Sequence, residues 1–327
     1  MARDRRSHKF VFALCIESSH ARGMGHFYRA LNLADALAKA GQRSIFYMNN
    51  HVPAIKILAE RGLPHRILCP EDWMSNRIAS IIRQDDITLW INDRHNTTLH
   101  HAETVKKRGI PLVTFDDRGP GAQLADLHIA ALTFDVKEVL GGDKIIRGLD
   151  YLILNKQIEK NLRIRNSIEK ILVTLGGSDT YGVTFRVVQL LKQMKRAATV
   201  VVGPAFKHFE KLKKEITEPF ILKQAVPSMI DEFFQHDLAI TGGGITPFEA
   251  NASGLPCIVI ANETFEVAVG KAVQSLGSSI YAGYHTEIQL PLFPEDLPIE
   301  QMSRAGMNNI NLLGAQRVVD SLLETSR

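Results

Sequence analysis

His26 stands where a glycine-rich turn passes into a helix, a position from which an imidazole can take a proton from water. The turn Gly23-Met24-Gly25-His26 follows the apolar run Phe10 to Ile16, and behind it Phe27, Ala30, Leu31, Ala34, Leu37 and Ala38 fall on one helical face until Gly41. Glycines there permit positive φ and close approach of a ligand, and the first N–H groups of the helix favour an anion such as phosphate or carboxylate. The same helix end disfavours an imidazolium, so His26 is expected as a neutral imidazole able to act as a base. Capping of the helix by His26 is the structural alternative, and spacing alone leaves both open. The turn lacks the third glycine of the dinucleotide fingerprint, and the next strand ends Met48-Asn49-Asn50 without an acidic residue, which argues against a dehydrogenase.

Two further groups of ionisable residues end apolar runs in the same way: Asp93, Arg94 and His95 after Ile87 to Asp93, and Asp116, Asp117 and Arg118 after Pro111. Each acidic pair could be turn chemistry alone. Their recurrence at successive strand ends points to one functional edge. His95, His100 and His101 invite a metal reading, but their spacing matches no helical H-x-x-x-H pair and no cysteine set accompanies them, so no metal site is expected.

The elements that must carry these residues alternate strand with helix from Phe10 to about Leu132, which predicts a parallel sheet covered on both faces, with ligands beyond the carboxyl ends of the strands. The pattern restarts at Lys170 with KILVTLGGSD and continues through TVVVG, FILKQA, LAITGGG and CIVIAN, with a last helix over 310–323. Between them, residues 133–169 are polar and weakly periodic, which places a boundary near residue 165. The expected architecture is two doubly wound α/β domains, 1–165 and 166–327, facing across a cleft that a hinge at the boundary would close. A second glycine turn, Gly242-Gly243-Gly244, opens the helix Thr246 to Ser253; it could meet a pyrophosphate, while Thr246-Pro247-Phe248-Glu249 also has the form of a capping box that would give Glu249 a structural task.

With 327 residues, 45% apolar and 23% charged, the chain has the composition of an ordinary globular protein of two domains. With a net charge of +4 that leans on the first nine residues, no nucleic-acid surface is expected. The short apolar run after that leader is expected as a strand, not a signal peptide, and no stretch approaches the length of a membrane span. Cys15, Cys69 and Cys257, odd in number and beside apolar runs, are expected as buried free thiols in a reducing cytoplasm.

Several separate stretches, namely G-x-G-H-x-x-R at Gly23 to Arg29, FDD at Phe115 to Asp117, GLDYLIL at Gly148 to Leu154, LGGSD at Leu175 to Asp179, ITGGGITPFE at Ile240 to Glu249 and GLPCIVIAN at Gly254 to Asn262, resemble the PseG nucleotide-sugar hydrolases and their SpsG spore-coat polysaccharide relatives. The resemblance spans about residues 10–280. It implies the GT-B fold shared with MurG-type glycosyltransferases and hydrolysis of a UDP-linked N-acetylated deoxy sugar to free sugar and UDP, as in pseudaminic acid synthesis, without metal or other cofactor. It implies that His26 positions or activates water, that Gly243 and Gly244 face the diphosphate, that Glu249 bonds the uridine ribose, and that Asn262 with Glu263 lies near the sugar. Asp93, Arg94 and Asp117 are candidates for sugar contacts or for orienting His26. Gly23, Gly25, Arg29, Gly176, Gly177, Ser178, Ile245 and Thr246 complete the expected binding set. The chain departs from the resemblance at Glu263, where glutamine is expected, and at Asn155, where relatives often carry arginine, so sugar identity is left open. The alternatives are a GT-B glycosyltransferase with a hydroxyl acceptor and a nucleotide-sugar binding protein without turnover. Oligomeric state is also left open.

Overall fold

The computed structural model describes residues 10–18, 24–69, 71–72, 77–135, 137–176, 179, 181–203 and 206–326. Gly23, Gly177 and Ser178, and the first residues of the helix expected over 73–83, lie outside them.

The first half alternates β1 (Val11–Ile16), α1 (Gly25–Lys39), β2 (Arg43–Met48), α2 (Val52–Glu60), β3 (His65–Ile67), α3 (Arg77–Gln84), β4 (Leu89–Asp93), α4 (Leu99–Lys106), β5 (Leu112–Phe115), β6 (Leu127–Ala130) and β7 (Lys144–Arg147). The second runs β8 (Ile171–Thr174), α5 (Val183–Gln193), β9 (Thr199–Val202), α6 (Phe209–Glu215), β10 (Ile221–Gln224), α7 (Met229–Gln235), β11 (Leu238–Gly242), α8 (Thr246–Ala252), β12 (Cys257–Ala261), α9 (Glu266–Ser275), β13 (Ser279–Tyr284), α10 (Ile299–Asn309) and α11 (Gly314–Thr325). Among the described residues these strands form two wholly parallel sheets, ordered β3-β2-β1-β4-β5-β6-β7 and β10-β9-β8-β11-β12-β13. Central strands such as β4, β8, β11 and β12 are buried along their whole length because helices cover both faces, which is why they read as unbroken apolar runs.

Strand order reverses between β1 and β4 in one sheet and between β8 and β11 in the other. Such a switch point leaves a crevice at the carboxyl ends. Register makes the first crevice concrete: Ile16, the last residue of β1, is paired with Asp93, the last of β4, and His26 in the first turn of α1 reaches the end of β4.

The last helix does not close the second domain, as a 166–327 span would have it. α11 lies against α1 and places Val318, Val319 and Leu322 in the apolar core of the first sheet. The sequence also hid four elements. β7 is an edge strand with three of four residues exposed, and β13 is only half-buried, so neither has the apolar run of a central strand. In α9, Gly270 interrupts the helical pattern, and a Cβ there would stand 2.3 Å from the Tyr281 ring. α10 is weakly apolar, burying Ile299, Met302, Ser303 and Gly306. Cys15 and Cys257 are buried as expected, but Cys69 is exposed, because its strand ends before it.

Candidate active site

The core-facing side of α1 carries an arginine. Arg29 is buried with Phe27, Ala30, Leu31, Leu33, Ala34 and Leu37, a position that an isolated charge does not tolerate. It is held by two carboxylates: its Nε donates to Asp93 Oδ2 at 2.8 Å, one terminal nitrogen donates to Asp93 Oδ1, and the other donates to Asp116 Oδ2 at 2.5 Å. Burial alone would raise the Asp93 carboxyl, but Arg29 and His26 outweigh it and hold that group well below the usual carboxylate range. Burial likewise opposes the charge on Arg29, and Asp93 and Asp116 more than restore it.

An ionised Asp93 only accepts hydrogen bonds, so the 2.6 Å contact between its Oδ1 and His26 Nδ1 puts the proton on Nδ1 and the lone pair of a neutral ring on Nε2. His26 Nε2 in turn lies 3.0 Å from His95 Nε2. The side chain of His26 is 12% exposed and that of Asp93 5%. Carboxylate, imidazole and an Nε2 lone pair turned away from the carboxylate thus stand in the order a general base requires, with His95 as the present neighbour of that lone pair.

Of the other residues expected at this edge, Asp117 is turned away from His26: it accepts from Thr97 N at 3.0 Å, Gly119 N at 2.7 Å and the Thr97 hydroxyl, which pins the loop. The candidate for orienting His26 from that strand end is instead Asp116, through Arg29. Asp116 sits at φ +46°, the kind of backbone that short polar side chains tolerate, and this sends neighbouring carboxylates in different directions. Arg94 lies 3.9 Å from Glu17, not toward His26. Gly25 is the first residue of α1 with no positive φ, and the space around its Cα is open. His100 is exposed and His101 packs edge-on to Trp90, so the three histidines do not converge; among the described residues no group of three His, Cys, Asp or Glu could hold a metal ion.

Across the crevice, a cavity of about 290 Å³ opens over the second sheet. Its walls come from the ends of β8 and β9 (Thr174, Gly176, Val202), the segment Ala225 to Ile230, and Ile245, Thr246 and Glu249 of the β11 to α8 turn. Met24, Gly25, Tyr28 and Arg29 close it from the first domain, and Asn155 and Gln157 from the connection between domains. His26 and His95 are not in its lining; the array adjoins the cavity through Gly25 and Arg29. Gly176 lines it at φ +91°, which requires glycine.

Glu249 does not form the expected capping box. α8 starts one residue earlier than that box requires, with Ile245 at the cap and no side-chain cap bond, and the Glu249 carboxyl stands near the backbone of Asn155 instead. Burial pushes this carboxyl up to about 7, the nearby Asn155 backbone offsetting only part of the effect. The glycine turn has a partner the sequence did not reveal: Glu266 Oε2 accepts from Asn262 N at 2.7 Å, Gly243 N at 3.3 Å and Glu263 N at 3.4 Å. A Cβ at Gly243 would lie 2.6 Å from Glu266 Cβ, so glycine makes that approach possible. Gly244 is partly buried with open space at its Cα, and the Asn262 Oδ1 atom is buried without a hydrogen-bond partner among the described residues. Glu263 accepts from the Tyr181 hydroxyl at 3.2 Å. His95, Asp116 and Glu266 were absent from the expected set; the carboxyl-end rule that selected Asp93 and Asp117 also covered His95 and Asp116, and only their side-chain directions separate them.

No protein-family model matches the chain. The spore coat polysaccharide biosynthesis protein SpsG of Bacillus subtilis (strain 168) is 27% identical over 313 residues, covering 91% of this chain and 88% of SpsG. Among solved structures, MurG of Acinetobacter baumannii superposes with a TM-score of 0.66 at 14% identity over 96% of this chain and 99% of its own. UDP-GlcNAc 2-epimerase from Neisseria meningitidis, bound to UDP-GlcNAc, does so with a TM-score of 0.62 at 14% identity, over 96% and 100%. No helix among the described residues is long and apolar enough to cross a membrane. Two parallel α/β domains facing across a cleft, with glycosyltransferases of this architecture among their structural neighbours, are the GT-B fold.

Proposed function

We propose that this protein is a metal-independent hydrolase of a UDP-linked N-acetylated deoxy sugar, serving nonulosonic or surface-polysaccharide sugar synthesis. The observation that carries the proposal is the Asp93–His26 pair at 2.6 Å, set beside a cavity with a half-buried carboxyl, Glu249, on its far wall. SpsG lends the polysaccharide context and the GT-B fold lends the nucleotide-sugar cleft.

In this mechanism the nucleoside occupies the cavity with its ribose hydroxyls toward Glu249, and the sugar extends toward His26. Water donates a proton to His26 Nε2 as its oxygen bonds to the anomeric carbon. The bond from that carbon to the β-phosphate oxygen breaks, and its electron pair leaves with UDP. Asp93 holds the ring and stabilises the imidazolium formed. General-base assistance of this kind is worth about 10² to 10⁴ in rate.

The test is UDP release from a panel of UDP-linked N-acetylated deoxy sugars without acceptor. Fast release by wild type that falls at least about a hundredfold in His26→Ala is expected. Release that appears only when a hydroxyl acceptor is added would make the protein a transferase with the same base. Binding without release under either condition would leave a nucleotide-sugar binding protein.

A further inference from the structure

His95 is partly buried at the cleft, in contact with the proposed base, and the mechanism above gives it no task. Its ring meets that of His26 edge to face, with centroids 4.5 Å apart and planes at 83°. Two Nε2 atoms 3.0 Å apart form a bond only if one carries a proton. Asp93 fixes the proton of a neutral His26 on Nδ1, so the donor is His95 and the acceptor is the lone pair that the mechanism assigns to water. Burial, followed by the nearby His26 and Arg29, pushes the His95 imidazole down to about 4, so it is a neutral ring at physiological pH.

The other side of His95 belongs to the second domain. The Phe265 ring, from the loop between β12 and α9, lies 5.9 Å from it, is 42% exposed, and is capped by the Arg118 guanidinium at 5.4 Å. Arg118 is paired with Glu138. A line of contacts therefore crosses the cleft from Asp93 through His26 and His95 to Phe265.

We propose that His95 is a positioning residue that occupies the His26 lone pair until the nucleophile replaces it, and that Phe265 makes this hold depend on closure of the two domains. This rests on the proposed function in so far as His26 is the base. Donation to Nε2 stabilises the neutral ring and keeps it from rotating out of line with Asp93. The nucleophile arrives with the same chemistry, an O–H donating to the same nitrogen. The charged and titratable groups around the pair are Asp93, Arg29, Asp116 and Arg118, and none of them replaces the donor that His95 supplies.

The test compares His95→Phe, which keeps a flat ring but has no donor, with His95→Gln, whose amide donates, and with Phe265→Ala, which leaves His95 in place. Imidazole nitrogen NMR on the full chain without ligand reads the His26 tautomer and its titration. In His95→Phe the titration and the acid limb of the kcat/KM profile are expected to move to higher pH by about half a unit to one unit, with kcat about tenfold lower and KM little changed. His95→Gln should restore both, and Phe265→Ala should move both in the direction of His95→Phe by less. An identical His26 titration in all four proteins overturns the proposal, as does a shift in His95→Gln equal to that in His95→Phe. The NMR arm decides the hold even where no UDP-sugar is turned over, so failure of the hydrolase assignment remains distinguishable.

Discussion

At the carboxyl edge of the first sheet, the groups gathered around His26 are ionisable side chains engaged with one another: Arg29 between Asp93 and Asp116, and His26 between Asp93 and His95. The second sheet presents a glycine turn tied to Glu266, apolar walls and, in the cavity lining, the half-buried carboxyl of Glu249 beside the Asn155 backbone. The first edge is already paired and oriented, one guanidinium between two carboxylates, as a site that must hold a base through a reaction needs to be. The second keeps an acceptor that a ligand's hydroxyl donors would satisfy. Breaking the first edge should therefore cost folding energy, and altering the second should show in ligand affinity.

The largest effect is expected for Arg29→Met. It leaves Asp93 and Asp116 buried without their cation, and removing one partner of a buried ion pair costs about 3 to 5 kcal/mol. Urea unfolding measures it, and Arg29→Met combined with Asp116→Asn should recover part of the loss because one stranded charge has gone. A cost near that of a surface ion pair would mean that the edge is not one network.

Arg165 tests the opposite region. It is 1% exposed and donates to backbone carbonyls: His236 O at 3.2 Å, Phe233 O at 2.6 Å, Arg163 O at 2.5 Å and Ser253 O. His236 and Ser253 are the caps that end α7 and α8, both of which line the cavity, so the guanidinium satisfies helix ends with the sign of charge that they favour. Arg165→Met should cost about 2 to 3 kcal/mol, since buried carbonyls lose their donors, and should weaken UDP binding in calorimetry. Loss of stability with unchanged UDP affinity would separate this staple from the cavity.

The alternation of elements was legible because parallel sheets write themselves as apolar runs, and the rule that ligands sit at carboxyl ends then drew attention to the edge that carries His26 and Asp93. Side-chain direction in the loops was not legible. Asp116 and Asp117 are adjacent and alike, yet one holds Arg29 and the other ties Thr97 to Gly119, a choice made by a backbone at φ +46°. Arg29 entered the expected binding set through the G-x-G-H-x-x-R resemblance, and it does reach the cavity lining, but its carboxylate partners come from 64 and 87 residues away and no local pattern announces them. Glu266 was invisible for the same reason: its bond to Gly243 spans 23 residues and depends on how α9 begins. The return of α11 to the first domain left no mark in local pattern, since an amphipathic helix does not say which sheet it covers.

The smallest effect expected, and the one that most sharpens the contrast between the two edges, concerns the charge of Glu249. Its carboxyl is pushed up to about 7 by burial, from an ordinary value of 4.5. A group raised in this way binds more protons folded than unfolded between those values, so its contribution to stability is present below pH 4.5 and is lost as pH rises through 7. Ligand binding should run the other way, because ribose hydroxyls donate best to the ionised form. Between pH 6 and pH 8 the ionised fraction of such a group grows about tenfold, and the affinity for UDP-N-acetylglucosamine, whose diphosphate does not titrate there, should rise by up to that factor. Glu249→Gln should flatten both trends. A flat affinity profile in wild type, with the stability trend intact, would place the carboxyl in the wall of the cavity without contact to the nucleoside, and the contrast between a self-satisfied edge and a ligand-completed one would fall.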